Sequence, residues 1–420
     1  MRKLLLLLII PFLSFGQGWE QTYSDFLGSS IKQTSDGGYI IAGGAFNASG
    51  GLTKLNSEGV IMWANEDIKG YSVQQTLDGG YIVTGQYYCE DLNSTGEGDI
   101  CLTKTDGYGN VQWSRSFSGG DDSGEGGEDV LQTSDGGYIL CGYINKLPPN
   151  PNTDVVIIKT NYNGDEEWLE LYDDGSNSNA AGLSIEIVDG GYIVGGGCSG
   201  NGHLIKVNEN GEEQWSQCYD ELSYATPSVQ QTFDGGYLIG SGYNSGYYDA
   251  NLKILKTDEN GNVDWINGFE NTSLMGCHSI EKTNDGGYII CGGTGMFGYE
   301  YANSVENHIY ILKTNENAEE EWYQTYGEQF DMSTGLFCEQ TNDGGYVVIG
   351  AGFNVEKYDW HAIIIKTNEF GNITSTIEYP AINKTLIKTI DILGRETNNN
   401  EGFKLHIYDD GTVEKKYVIK

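Results

Sequence analysis

Of the 420 residues only six are proline and 23 are lysine or arginine, against 60 aspartates and glutamates. The scarcity of proline argues against a proline-rich extended polymer. The shortage of bases leaves a formal charge of −37, which repels nucleic acid and anionic lipid and keeps the chain soluble, so nucleic-acid binding is not expected. The acids are spread along the chain and read as a solvated surface. Beyond the first 13 residues no window is apolar enough to cross a bilayer, so no transmembrane segment is expected. No sustained helical period, zinc-type CxxC pair, HExxH helix, Walker loop, GxSxG elbow or haem-attachment motif is present, and neither a cofactor nor a metal is expected. A catalytic reading therefore starts with no named residues.

The apolar run that does exist is Leu4 to Leu13, preceded by Arg2 and Lys3 and followed by Ser14-Phe15-Gly16. It is too short to span a membrane and has the basic, apolar and small-residue order of a signal peptide, so residues 1–16 are expected to be removed on export. Eight cysteines in an exported chain permit disulfides. Cys89 and Cys101 flank one loop and are placed to bridge it, whereas Cys141 and Cys291 occupy one repeat position and read as small buried residues.

What is abundant is glycine, 61 residues, and tyrosine, 29, and they recur in order. Asp-Gly-Gly-Tyr begins at Asp36, Asp78, Asp135, Asp189, Asp234, Asp285 and Asp343, at intervals of 42 to 58 residues. A second motif alternates with it, as in "LTKTDGYGNVQW", with lysines at 54, 104, 159, 206, 256, 313 and 366. Repeats of this period mark propellers or solenoids. Each resolves into four short β-rich segments bounded by Gly, Asn and Asp, which predicts an all-β, seven-bladed β-propeller of four-stranded antiparallel blades over residues 17–379.

Connection lengths orient the blades. The Asp-Gly-Gly links and the "ENGN"-type links are tight hairpin turns that need positive φ, while the other two links of each repeat vary in length. Alternate connections of an antiparallel blade fall on one end, so the tight turns share one face and the variable loops share the other. An Asp present in all seven turns is first a turn residue, and its lysine is expected to pair with it or to cover apolar strand edges at a worth of about 0–1 kcal/mol when exposed. Six tryptophans end the second motif and read as core between blades. An orphan Trp19, with Tyr23 four residues on, repeats the spacing of Trp168/Tyr172 and predicts a strand donated to the last blade, although "NITSTIEY" at 372–379 competes for that place.

The units resemble the "QTxDGGY…KTDxxGNxxW" repeats of large secreted bacterial and archaeal proteins, a resemblance that implies a propeller and little about activity. Proteins with such repeats are sometimes grouped with endoglucanases. Residues 380–420 differ, with seven bases against six acids. Their "DILGRE" and "YDDGTVEKK" resemble the C-terminal sorting domain of the Bacteroidetes type IX secretion system, in a short form. The match rests on Asp391, Gly394, Arg395, Asp409, Asp410, Gly411, Lys415 and Lys416. The resemblance implies that this β-rich segment is read by the secretion machinery and that the propeller is released or held at the cell surface.

Function is expected where the repeats differ, on the variable face. Five residues before each strand lysine sits a polar residue, among them Asp99, Asp154, Asn251, His308 and His361, with Trp360, Tyr247, Tyr248, Tyr299 and Tyr301 nearby. Aromatic faces beside short amides and carboxylates suit carbohydrate. The expectation is a non-catalytic binding module for glycan or another surface protein. The alternative is an endoglucanase-like enzyme using carboxylates on the same face, since a glycosidase needs two of them a few ångströms apart.

Overall fold

A computed structural model describes residues 18–373 apart from 25–26, 45–49, 87–98, 119–123, 146–151, 174–178, 224, 242–251, 270–273, 295–306 and 358. In the tail it describes 386–390, 402–408 and 413–418. The chain divides into two units, Met1–Ile373 and Thr374–Lys420. No helix is long and apolar enough to cross a membrane among the described residues.

The first unit is a ring of seven four-stranded antiparallel sheets, a seven-bladed β-propeller. In blade 1 the strands Gly28–Gln33, Tyr39–Gly43, Leu52–Leu55 and Ile61–Asn65 follow one another outward, and blades 2 to 6 repeat this order. Blade 7 takes its three inner strands from Met332–Gln340, Tyr346–Asn354 and Asp359–Thr367, and its outermost strand from Trp19–Tyr23. Trp19 lies opposite Lys366 and Tyr23 opposite Ala362. The first strand of the chain thus closes the ring, as its aromatic spacing predicted; residues 374–379 of the competing segment lie outside the described residues.

The repeated aromatics show why the closure works. Each motif tryptophan lies beneath the outer tight turn of the next blade and beside that blade's Asp-Gly-Gly-Tyr tyrosine. Trp113 meets Tyr138 with ring centres 5.7 Å apart, Trp322 meets Tyr346 at 5.6 Å, and Trp19 meets Tyr39 at 5.8 Å across the closure. Where the aromatic four residues on is a tyrosine, it holds the same turn: Tyr172 Oη donates to Gly211 O at 2.6 Å, Tyr219 Oη to Gly261 O at 2.8 Å, and Tyr23 Oη to Gly59 O. The spacing recurs at six of the seven blade boundaries, Trp19 with Tyr23 among them; at the remaining one Asp67 stands four residues after Trp63, and Asn65 Nδ2 donates to Gly109 O at 2.9 Å instead.

The Asp-Gly-Gly turn has two glycines for two reasons. Gly79 has φ +83 with open space around it, so it supplies the left-handed backbone. Gly80 has ordinary φ, but a Cβ there would lie 2.1 Å from Thr105 O and 2.5 Å from Lys104 Nζ, so it supplies room for the neighbouring strand. Asp78 Oδ1 accepts from Thr76 Oγ1 and from Gly80 N, and Lys104 Nζ reaches the same carboxylate. Six blades carry this aspartate–lysine pair. The lysines are not exposed, as a surface pair would require: their side chains are 3–7 % accessible.

Blade 4 departs from the pattern. Its hairpin is one residue shorter, with Val188 opposite Gly191, and Ile187 stands where the other turns have threonine. Lys206 accordingly sits over the Tyr237 ring at 5.6 Å instead of on Asp189. Seven copies of the motif therefore make six copies of one network. In the second unit the strands Leu386–Ile390, Gly402–Tyr408 and Val413–Val418 form a three-stranded antiparallel sheet.

Of the cysteines, Cys141 and Cys291 are buried and free, as read. Cys101 is disulfide-bonded, and Cys89 lies outside the described residues. Cys198 and Cys218 form a disulfide within blade 4 that the spacing did not suggest.

Candidate functional site

The innermost strands surround a central channel of about 790 Å³. In five of them the register slips by one residue, between Gly28 and Ser30, Gly127 and Asp129, Gly182 and Ser184, Cys277 and Ser279, and Gly335 and Phe337. The extra residues are Ser29, Glu128, Leu183, His278 and Leu336, and all five line the channel together with Tyr71 of blade 2. A β-bulge re-aims a side chain, and here it turns one residue per strand toward the axis. The residues that follow are Ser30, Asp129, Ser184, Ser279 and Phe337. Nearer the tight turns stand Lys32, Gln74, Leu131, Glu186, Gln230, Glu281 and Glu339.

Much of this lining has structural work. Backbone N–H groups of each following blade donate to it: Gln132 N to Gln74 Oε1 at 2.6 Å, Lys282 N to Gln230 Oε1 at 3.2 Å, Gln231 N to Glu186, and Gln33 N to Glu339 across the closure. Asp129 accepts from Ser72 Oγ at 2.7 Å and from Ile185 N at 3.1 Å, tying blades 2, 3 and 4. Burial pushes its carboxyl up, against the pull of these donors and of Lys32. Lys282 pairs with Glu186.

Lys32 spans blades 1, 6 and 7. Its Nζ lies 3.5 Å from both Glu281 and Glu339 and 4.2 Å from the centre of the Phe337 ring. Burial alone would lower its pKa, but Glu281, Glu339 and Asp129 more than reverse that and hold it charged. Glu281 is pushed up to about 7, by burial first and then by Glu339, Asp129 and Glu186, with Lys32 opposing. Glu128 also rises to about 7, from burial and the adjacent Asp129. Burial lowers His278 to about 4, so it is neutral at pH 7. These groups touch channel water, with Lys32 28 % and Glu339 17 % accessible, yet protein surrounds them, which is why their charged forms are costly.

Of the residues singled out on the variable face, the described ones belong to four different blades. Asp99 and Asp154 are 5 % accessible and belong to different blades, at the start of the third strand outward from the axis. His308 begins the equivalent strand of blade 6. His361 Nε2 is 3.2 Å from Asp359, and Trp360 packs on Phe353 with ring centres 4.7 Å apart, so both serve blade 7. Asn251, Tyr247, Tyr248, Tyr299 and Tyr301 lie outside the described residues, as do Asp391, Gly394, Arg395, Asp409, Asp410 and Gly411 of the tail. Lys415 and Lys416 lie on the last strand of the tail sheet. Among the described residues the one convergent set of metal-type donors is Cys198, His203 and Cys218, two of which form the disulfide.

The channel was legible in principle. The position four residues before the Asp of Asp-Gly-Gly reads Lys, Gln, Leu, Gln, Glu and Glu in blades 1, 2, 3, 5, 6 and 7, while its neighbours repeat. Variation inside a repeat that is otherwise constant is the signal that was available.

The fold defines a class, the β-propellers. Beyond the class, no family model and no curated protein matches the chain. Among solved structures it is similar to the WD40 repeats of RRP9, at 8 % identity and TM-score 0.54, over 83 % of this chain and 97 % of that one. It is also similar to a Bacteroides caccae protein of unknown function, at 12 % identity and TM-score 0.44, over 70 % and 91 %, and to the Dos1 propeller, at 10 % and 0.46, over 97 % and 98 %. At these identities the likeness concerns the fold alone.

Proposed function

We propose that the chain is an exported, non-catalytic binding propeller that presents the channel mouth and the variable loops to a glycan or another surface protein. In this reading the tail is recognised by type IX secretion machinery and the propeller works outside the cell. One observation carries it: the framework repeats from blade to blade, whereas the side chains aimed into the channel do not. Residues that serve only the ring recur, as the clamping tryptophans and turn aspartates do. The lining combines aromatic faces at Tyr71 and Phe337 with serine hydroxyls, amides and carboxylates, which suits a polyhydroxylated ligand with an apolar face. The endoglucanase-like alternative keeps one supporting feature, a pair of channel glutamates, Glu128 and Glu281, whose carboxyls sit near neutrality.

A glycan array read with the mature protein tests the binding reading. Retention of at least one polysaccharide, weakened by Phe337→Ala, is expected; retention of none sinks the glycan half of the proposal. Release of new reducing ends, abolished in Glu281→Gln, would replace the binding reading with the enzymatic one.

A further inference from the structure

Once the structural partners are set aside, two ionisable side chains in the channel have no hydrogen-bond or ion-pair partner among the described residues, Glu128 and His278. Both occupy the extra position of a β-bulge, so the backbone spends regular pairing to turn them inward. Both are half-buried, open to the channel and otherwise surrounded by protein. A carboxyl in that setting is costly to ionise unless a counter-charge arrives. The channel as a whole holds five carboxylates, Glu128, Asp129, Glu186, Glu281 and Glu339, against the ammonium groups of Lys32 and Lys282.

The structure itself displays what this lining accepts. Near the tight turns, Glu281, Glu339 and the Phe337 face hold one ammonium group, that of Lys32. At the bulge level Glu128, Asp129 and the aromatic Tyr71 of the neighbouring blade all line the channel, and among the described residues no lysine reaches Glu128. The first site is complete and the second has every part except the cation. A metal ion is the poorer occupant. Asp129 spends both oxygens on Ser72 and Ile185, and no three channel carboxylates converge within ligating distance among the described residues.

We propose that the bulge level of the channel binds a ligand through a primary ammonium group, with Glu128 as its counter-ion, Tyr71 against its carbon skeleton and neutral His278 as a hydrogen-bond partner from the opposite side. The inference rests on the binding reading and narrows it: the favoured glycan carries a free amino group. An anionic or fully N-acylated sugar lacks the charge that Glu128 requires.

Isothermal titration of the mature, full-length protein with glucosamine oligomers, their N-acetylated counterparts, 1,4-diaminobutane and calcium chloride tests this. The amino oligomers and the diamine are expected to bind, the N-acetylated oligomers at least about tenfold more weakly. Glu128→Gln is expected to weaken amine binding by about tenfold or more, the equivalent of losing one ion pair of about 1.4 kcal/mol. Glu128→Asp, which keeps the charge, retains most of it and serves in place of the glutamine variant if that one does not fold. Amine binding that is unchanged in Glu128→Gln overturns the proposal, as does binding of calcium in place of amines. Binding of neutral glycans without amines also overturns it while leaving the binding reading intact; binding of nothing on the array or by titration removes both.

Discussion

Lys104 Nζ lies 2.9 Å from Asp78 Oδ2, and the two ends of this bond live in different surroundings, the lysine side chain 4 % accessible and the aspartate 59 %. The ammonium also donates to Thr105 O at 2.8 Å and to Gln112 Oε1 at 3.2 Å, so all three of its protons are placed. Removing the cation strands acceptors at a buried position, whereas removing the anion's charge leaves a carboxamide facing water. Lys104→Ala is expected to destabilise by about 2–3 kcal/mol and Asp78→Asn by about 1 kcal/mol or less. Lys206→Ala, at the repeat position that lacks a carboxylate partner, costs less than Lys104→Ala. Urea denaturation of the three variants ranks them, and equal losses at Lys104 and Lys206 would refute the argument.

The paired glycines of the same turn are expected to separate in the same way. Gly79→Ala meets only an unfavourable φ and costs about 1–2 kcal/mol. Gly80→Ala drives a methyl into the Thr105 carbonyl, a backbone atom that cannot step aside, and costs more, on the order of 3 kcal/mol or beyond. Thermal melts of the two variants side by side decide the order.

Stability is expected to vary with pH in two opposite limbs. Asp36, Asp78 and Asp135 are held down to about 2 although burial acts to raise them, because the threonine, glycine and lysine donors win; for Asp234 the Thr232 hydroxyl is the first cause. A depressed carboxyl stabilises above its unfolded pKa, so this contribution is lost as pH falls from about 4 to about 2. Neutral His278 adds to the acid limb, because its lowered pKa makes stability fall from its ordinary value down to about 4. Glu128 and Glu281 act in the other direction: raised to about 7, they stabilise below the ordinary glutamate pKa and that contribution disappears as pH rises through 7. Glu128→Gln isolates one group. Its stability relative to the native protein is expected to improve between about pH 4.5 and 7, by up to about 3 kcal/mol. A difference that is flat with pH contradicts this.

Trp19 packs against Gly59 and Tyr39 as the motif tryptophans pack at their own boundaries, and adds an indole N–H to Ser57 O at 2.9 Å. Trp19→Ala is expected to cost about 3 kcal/mol, and deletion of residues 17–27 to cost more or to abolish folding. A truncated chain that melts with the full-length one would mean that the clasp is ornamental.

The blade count, the strand order and the closing strand were legible because all three depend on residues that must recur. Asp-Gly-Gly-Tyr and the lysine–tryptophan motif obey local rules of turn and strand, and local rules show in sequence. The short hairpin of blade 4 was not legible, since Asp189-Gly190-Gly191 keeps the letters and loses the register through one missing residue beside Ile187. The buried state of the turn lysines was hidden too, because burial depends on the strand next door. Glu128 and His278 escaped for a third reason. A β-bulge is defined by a count of residues on two strands, and the inward aim of its side chain appears only once the partner strand is known.

The closing strand also imposes an order in time. Trp19–Tyr23 is made about 340 residues before its partner Asp359–Thr367, tens of seconds at ordinary elongation rates. Throughout that interval the ring has an unpaired edge at each end and cannot lock. The clamp of Trp19 on blade 1 then converts a row of separate sheets into one circle that opens only by undoing its own beginning.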